Sequence, residues 1–330
     1  MTDFSNQSDN LKELPTAAEI ETDLTSTEGE GIWLEYGFTG LVWVVALATA
    51  GVLFWMSWVI FKDAQPAVQQ FGLKFLAEQT WNIGQEKFGA LPFIYGTLVS
   101  SAIALVLAVP TGLAAALITS EDFLPGWVRS PLAFLVELIA AIPSVIIGLW
   151  GIFVLIPFLV PLQQWLFKTF GWFPLFSTDP SGPGMLAAGV VLAIMILPTV
   201  AAISREVLLV IPLELRSASM SLGATRWETI WNVLLPAGSS GILGAIILAL
   251  GRALGETMAV TMVIGNSTQI SASLLAPGYT IPAVLANQFG EALDKLHIGA
   301  LMYLALILFV LTLVVNIIAL LMVQLIGGRP

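Results

Sequence analysis

The chain has 330 residues, 57% of them hydrophobic and only 10% charged. A soluble domain carries about 25% charged residues, so a chain this long and this apolar has too few charges to cover a water-facing surface. The net charge of −10 is also unevenly placed: residues 1–35 hold nine acids and one base, leaving 13 acids and 11 bases in the remaining 295 residues.

Residues 1–35 are rich in Ser, Thr, Asn, Asp and Glu. They are expected to be an acidic, disordered tail, because such a segment buries too little apolar surface to offset its ordering entropy. The tail lacks the basic start and short apolar core of a cleaved signal peptide. Residues 36–330 are expected to form one membrane domain.

A helix needs about 20 apolar residues to cross a hydrocarbon core of about 30 Å. Six runs meet that need: 38–61, 91–119, 131–157 (containing Glu137), 185–203, 237–264 (containing Arg252 and Glu256) and 298–326. They are continuous, whereas barrel strands would be alternating segments of about 10 residues. The predicted fold is an all-α polytopic membrane protein with six transmembrane helices. Pro110, Gly112, Pro143, Gly148 and Pro198 fall inside these runs. Membrane helices tolerate such breakers where neighbours satisfy the freed backbone groups. With the N-terminus inside, six Lys and Arg lie in inner segments against five in outer loops. That difference does not orient the chain by the positive-inside rule.

Between the fourth and fifth runs lies SREVLLVIPLELRSASMSLGATRWETIWNVLLP, residues 204–236. Pro212 suits a first helical turn. Leu215, Ala218 and Leu222 follow at helical spacing, and Gly223 is a natural C-terminal stop. Thr225 with Glu228 reads as a capping box, opening a second helix with Ile230, Val233 and Leu234 on its apolar stripe and Pro236 at its end. The pattern is helix, glycine break, helix, outside the membrane, with Arg216, Arg226 and Glu228 on its surface. An interfacial pair resting on lipid headgroups has the same spacing.

The residues themselves resemble the EAA loop of ABC importer permeases. Ser217-Ala218-Ser219 occupies the E-A-A place, Gly223 the invariant-spacing glycine, and Leu235-Pro236 the closing L-P. Ser217, Ser219 and Val233 depart from the pattern. Ala141-Ile142-Pro143-Ser144-Val145 with Gly148 and Gly151 is similar to a stretch of phosphate permeases, as are Ile203–Val207 and Gly251-Arg252-Ala253-Leu254-Gly255-Glu256-Thr257-Met258-Ala259-Val260. The likeness extends over about residues 90–330 and implies a type I ABC importer (MetI-like) fold whose cytoplasmic coupling-helix loop docks on an ATPase. It implies a bacterial inner-membrane location with both termini cytoplasmic. The implied partners are a second permease (PstA-like), two ATPase subunits (PstB-like) carrying ATP and Mg, and a phosphate-binding protein (PstS-like). A PstA-like role for this chain, another oxyanion such as sulfate or molybdate, and an ion-coupled secondary transporter are the alternatives.

Charges inside a membrane cost at least about 2.5–3.5 kcal/mol each and usually face a cavity or the bundle interior. Arg252 lies 15 residues beyond Ala237, or about 22 Å at 1.5 Å per residue. Its planar guanidinium suits phosphate oxygens. Glu256, four residues on, is expected to pair with it on one helical face, either as an ion pair that only fixes helix packing or as the group that holds Arg252 toward a passing anion and limits how tightly it binds. Arg252, Glu256, Thr257 and Glu137 are the candidate pathway residues, with Glu137 a structural or gate element. Trp81, Trp165 and Trp172 read as interface anchors, and His297 as an interfacial residue without a role.

Without cysteine, and with His297 the lone histidine, no Cys- or His-cluster metal site is expected. All six lysines follow a residue other than glycine, so the GK step of a P-loop is absent. No cofactor, nucleic acid or catalytic residue is assigned to this chain; its partners are protein subunits and the lipid bilayer.

Overall fold

A computed structural model describes residues 31–327, with side chains from 36 to 324. The predicted tail therefore lies outside the described residues, apart from the backbone of its last few positions. The chain divides into two units, one ending at Val59 and the other beginning at Ile60. The described part of the first is helical, with Trp43, Phe54 and Trp55 exposed.

The described chain is mostly helical, in eleven main elements. They are α1 (Gly31–Phe71), α2 (Leu91–Ser120), α3 (Gly126–Ala140), α4 (Ser144–Phe170) and α5 (Met185–Val210). After them come α6 (Leu213–Ser221), α7 (Arg226–Ala237), α8 (Ser239–Gly255), α9 (Met258–Val263), α10 (Ile281–Gln288) and α11 (Lys295–Gly327). Among the described residues, five helices are long and apolar enough to cross a membrane, and six if α7 and α8, bent by 71° at Gly238, count as one. Six spans were expected, but two of them run differently.

The third span is displaced. Pro143 lacks an N–H and clashes with the preceding turn, so the residue before it leaves the helical region. The chain turns at Ala141–Pro143, and the apolar helix restarts at Ser144. α4 then passes Pro157 and Pro161 after a π turn at Gly151–Leu155. Glu137 is left on α3, a separate helix with no buried residue. The fifth span also breaks: Glu256 is extended, with φ −67° and ψ 126°, between α8 and α9. In addition, Ser204–Val210 belongs to α5, so the connection is shorter than the 204–236 expected.

α2 and α5 form the centre. Ser100, Ala104, Ala108, Gly112, Ala116 and Ser120 are all buried at four-residue spacing along α2. Small residues let membrane helices approach closely, where packing rather than the hydrophobic effect holds them. A Cβ on Gly112 would sit 2.9 Å from Val200, and one on Gly189 2.4 Å from Ile103. α4, α8 and α9 complete this cluster through Ile147, Leu155, Ala249, Ala253 and Val260.

Two smaller clusters mark opposite ends. At one, Ala116, Leu208, Ile211, Ile230 and Leu234 join α2 and α5 to the α6–α7 loop. At the other, Phe75, Phe88, Phe93, Tyr279, Ile281 and Tyr303 pack together. Tyr279 O lies only 2.2 Å from where a Cβ on Gly96 would be, and Thr97 Oγ1 accepts the Ile281 N–H at 2.9 Å. The Leu186 N–H donates to Leu274 O and that of Leu274 to Leu175 O. Residues 264–281 are thus folded against the helix ends. In the nearby turn, the Thr80 hydroxyl and N–H donate to Glu78 and hold its carboxyl below the usual range.

This end also holds two residues read as interfacial. The Trp81 Nε1–H donates to Gln288 Oε1 at 3.0 Å, and its ring meets Phe88 and Phe93 edge-on. His297 is buried, stacked on Phe88 with centroids 5.5 Å apart, and its Nε2 lies 3.2 Å from the same Gln288 oxygen.

Candidate functional site: an intramembrane arginine and a clamped helical loop

The α6–α7 loop follows its local signals closely. Pro212 sits at the N-cap of α6, and α6 ends on a Schellman arrangement, with the Ala224 N–H donating to Ser219 O and that of Gly223 to Met220 O. Gly223 has φ +90°, a conformation that favours glycine. Thr225 and Glu228 form the full capping box at the start of α7. Ser219 and Thr229 join the two helices through their hydroxyls at 3.0 Å.

The loop is fixed to the rest of the chain by a contact that its sequence did not reveal. Arg216 is largely buried rather than displayed: its Nε and Nη2 donate to Glu121 Oε1 at 3.3 and 2.9 Å. It also donates to Leu208 O at 2.7 Å and Ile211 O at 2.8 Å. One guanidinium thereby ties α6 to the C-terminal ends of both central helices, where a cation also complements the helix dipole. Arg226 Nη1 donates to Asp122 O at 3.3 Å, the Phe123 and Trp227 rings lie 5.5 Å apart, and Arg129 pairs with Asp122 at 2.7 Å. A cleft of about 330 Å³ between the 121–123 turn and α6 is lined by Arg216, Ser217, Met220 and Arg226.

Outward, the loop presents Leu213, Leu215, Met220, Leu222, Trp227 and Trp231, all exposed. Ser217 and Ala218 are exposed beside them, Ser219 and Leu235 are half-buried, and Pro236 is exposed near the bend. Exposed apolar side chains gathered on one loop suit a protein contact.

The second part of the site is the break between α8 and α9. The two glycines of the Ala141–Gly151 stretch allow it to be packed closely: a Cβ on Gly148 would lie 2.7 Å from Met262 S, and one on Gly151 2.8 Å from Val263. Two separate sequence patches therefore form one packed unit. Here Arg252 and Glu256 do not pair; none of the ion pairs among the described residues includes Arg252. The helix ends at Gly255, so Glu256 leaves the face on which Arg252 sits. Its Oε1 accepts the Ala259 N–H at 3.3 Å and caps α9. Thr257 donates its hydroxyl to Gly255 O at 3.2 Å across the break.

Arg252, exposed on α8, donates Nη1 to Thr199 Oγ1 on α5 at 3.3 Å. It lines a groove of about 730 Å³ between α5, α8 and α11. Glu137 belongs elsewhere: with Thr119, Ala201 and Arg205 it borders a gap of only about 10 Å³, beside an Arg205 Nε that is buried without a hydrogen-bond partner. Thr199 carried no recognisable signal in the sequence, because a threonine in an apolar run is unremarkable until its neighbour is known.

Comparison with known proteins places this geometry. Residues 108–329 match the family described as binding-protein-dependent transport system inner membrane component. The phosphate transport system permease protein PstC of Xylella fastidiosa (strain 9a5c) is 43% identical over 289 residues, 86% of this chain and 87% of the relative. PstC of Mesorhizobium japonicum is 45% identical over 275 residues, 82% and 84% of the two chains. Among solved structures, a bacterial ABC transporter involved in import of the acidic polysaccharide alginate aligns with TM-score 0.52 and 17% identity, covering 88% of this chain and 98% of its own. An inward-facing MetNI methionine ABC transporter aligns with TM-score 0.51 and 18% identity, covering 72% and 94%. At these identities the two structures establish the fold alone.

Proposed function

The chain belongs to the family of binding-protein-dependent transport system inner membrane components, and on that premise we propose that it is the permease through which an ATP-driven importer moves inorganic phosphate. It is a transport subunit and not an enzyme. The observation that carries the reading is the α6–α7 loop, clamped to α2 and α5 through Arg216 while exposing Leu213, Leu215, Leu222 and Trp227. A surface held in this way transmits a push from a docked ATPase directly into the two central helices. Leu215, Ser217, Ala218, Ser219, Gly223, Leu235 and Pro236 belong to that coupling loop.

In this reading the α6–α7 end is cytoplasmic. Six alternating spans then leave both termini, including the acidic residues 1–35, on the same side. ATP and Mg act on the partner ATPases. ATP-driven closure of those subunits moves the loops together, and the helices rigidly attached to them switch the pathway from inward- to outward-facing. A second, PstA-like permease completes the pathway, and a PstS-like protein delivers phosphate from outside.

Arg252 meets the anion, because a guanidinium keeps its charge and offers five donors in a planar fork. Glu256 and Thr257 act at one remove: they shape the α8–α9 break that ends the helix just beyond Arg252. Glu137 acts as a structural or gating group near Arg205. The test is uptake by the complex in proteoliposomes. ATP-dependent accumulation of phosphate and arsenate, with little sulfate or molybdate, is expected. Preferred uptake of sulfate or molybdate, or uptake driven by a proton gradient without ATP, would overturn the reading.

A further inference from the structure

The groove beside Arg252 has apolar walls, Ile247, Leu248, Leu320 and Val323, and a few polar groups, of which Thr199 is tied to Arg252. It is lined by Thr199 from α5, by Ser240, Gly244, Gly251 and Arg252 from α8, and by Asn316 from α11. Asn316 lies 11 residues before the end of α11 at Gly327, about 16 Å along it, and Arg252 lies 13 residues beyond Ser239, about 20 Å along α8. Both sit well inside the apolar layer. Asn316 is half-buried, and among the described residues no hydrogen bond holds its amide. An amide without a partner in apolar surroundings is costly, and membrane helices normally use such a group to bond a neighbour.

The glycines point the same way. Gly112, Gly148, Gly151 and Gly189 make room for a neighbouring helix, whereas a Cβ on Gly244 or Gly251 would meet nothing within 4 Å. Those two glycines keep the α8 backbone open to the groove. Arg252 itself is a donor only. Phosphate near neutral pH carries at least one P–OH, which needs an acceptor. Glu256 is not in the groove, and a carboxylate there would repel the anion. An amide presents both a carbonyl acceptor and two N–H donors without charge.

We propose that Asn316 is a second anion-contacting residue, accepting from the P–OH of a passing hydrogen phosphate and donating to its oxygens, and that Thr199 is a positioning residue for Arg252. This rests on the phosphate-permease reading above. Thr199 accepts from Arg252 and keeps its own O–H to donate. Because capture is the task of a separate binding protein, changes here alter the maximal rate and leave half-saturation unaffected.

The experiment measures ATP-dependent phosphate uptake by the assembled complex, with subunit stoichiometry checked in parallel. Asn316→Asp, nearly isosteric, and Asn316→Leu, which packs readily in a membrane, should each lower the maximal rate at least tenfold at unchanged half-saturation. Asn316→Gln should retain most of it. Thr199→Val should lower the rate and Thr199→Ser restore it. Rates within twofold of wild type for both Asn316→Asp and Asn316→Leu, alongside an inactive Arg252→Gln, would overturn this inference and leave the phosphate reading standing. If Arg252→Gln also transports normally, that reading falls too. Should Asn316→Leu fail to assemble, Asn316→Asp against Asn316→Gln decides.

Discussion

The contact between Arg216 and Glu121 makes the sharpest structural prediction. Its side chains are only 12% and 17% exposed, so the pair is poorly screened by solvent. Removing one partner of a fully buried pair costs about 3–5 kcal/mol. The residual exposure here, and the two carbonyls that still hold Arg216, lower the expectation for Glu121→Ala to about 2 kcal/mol. Arg216→Ala should cost more, because it also removes charge-assisted bonds to Leu208 and Ile211, each worth about 1.5–3 kcal/mol before relaxation. A double-mutant cycle should then report a coupling of about 1–2 kcal/mol. A cost of about 2 kcal/mol changes the ratio of held to released loop about 30-fold, so phosphate moved per ATP hydrolysed should fall in either variant. The assays are the thermal midpoint of the purified complex and the uptake-to-hydrolysis ratio. Effects that add within about 0.5 kcal/mol, with an unchanged ratio, would refute the clamp.

Other substitutions probe separate parts of the account. Gly223→Ala, placing an L side chain at φ +90°, should cost about 1–2 kcal/mol and weaken co-purification of the ATPase, with Gly223→Asn milder. Thr225→Ala removes the α7 cap and should lower stability by about 1 kcal/mol, read as a small drop in the thermal midpoint. Gly96→Ala, whose Cβ would lie 2.2 Å from Tyr279 O, should cost about 1–3 kcal/mol through overpacking and leave less folded protein at the same expression level.

The coupling loop was legible because its signals are local. Proline, glycine at a positive φ and a capping box each act within four residues, and all three determine the ends of α6 and α7. Pro143 was equally visible, but a proline can kink a membrane helix or end it, and only the packing of Gly148 and Gly151 against α9 decides which. The break at Glu256 has no proline at all. There Glu256 is extended and its carboxylate accepts the Ala259 N–H of α9, so the expected pairing with Arg252 four residues away was lost with the helix that would have produced it. In the sequence Arg216 is one loop charge among several. Its partner Glu121 is 95 residues distant, and no spacing rule connects them. Thr199 and Asn316 likewise become informative only when α5, α8 and α11 are seen to share a groove.

Phosphate uptake by the fully assembled complex with Arg252→Gln tests the central claim most directly. The wild-type complex should accumulate phosphate only when ATP is supplied. Arg252→Gln should assemble with the same subunit stoichiometry and lose uptake by at least tenfold, because the groove then lacks its one fixed positive charge. Near-normal ATP-dependent uptake by that variant would contradict a phosphate path past Arg252.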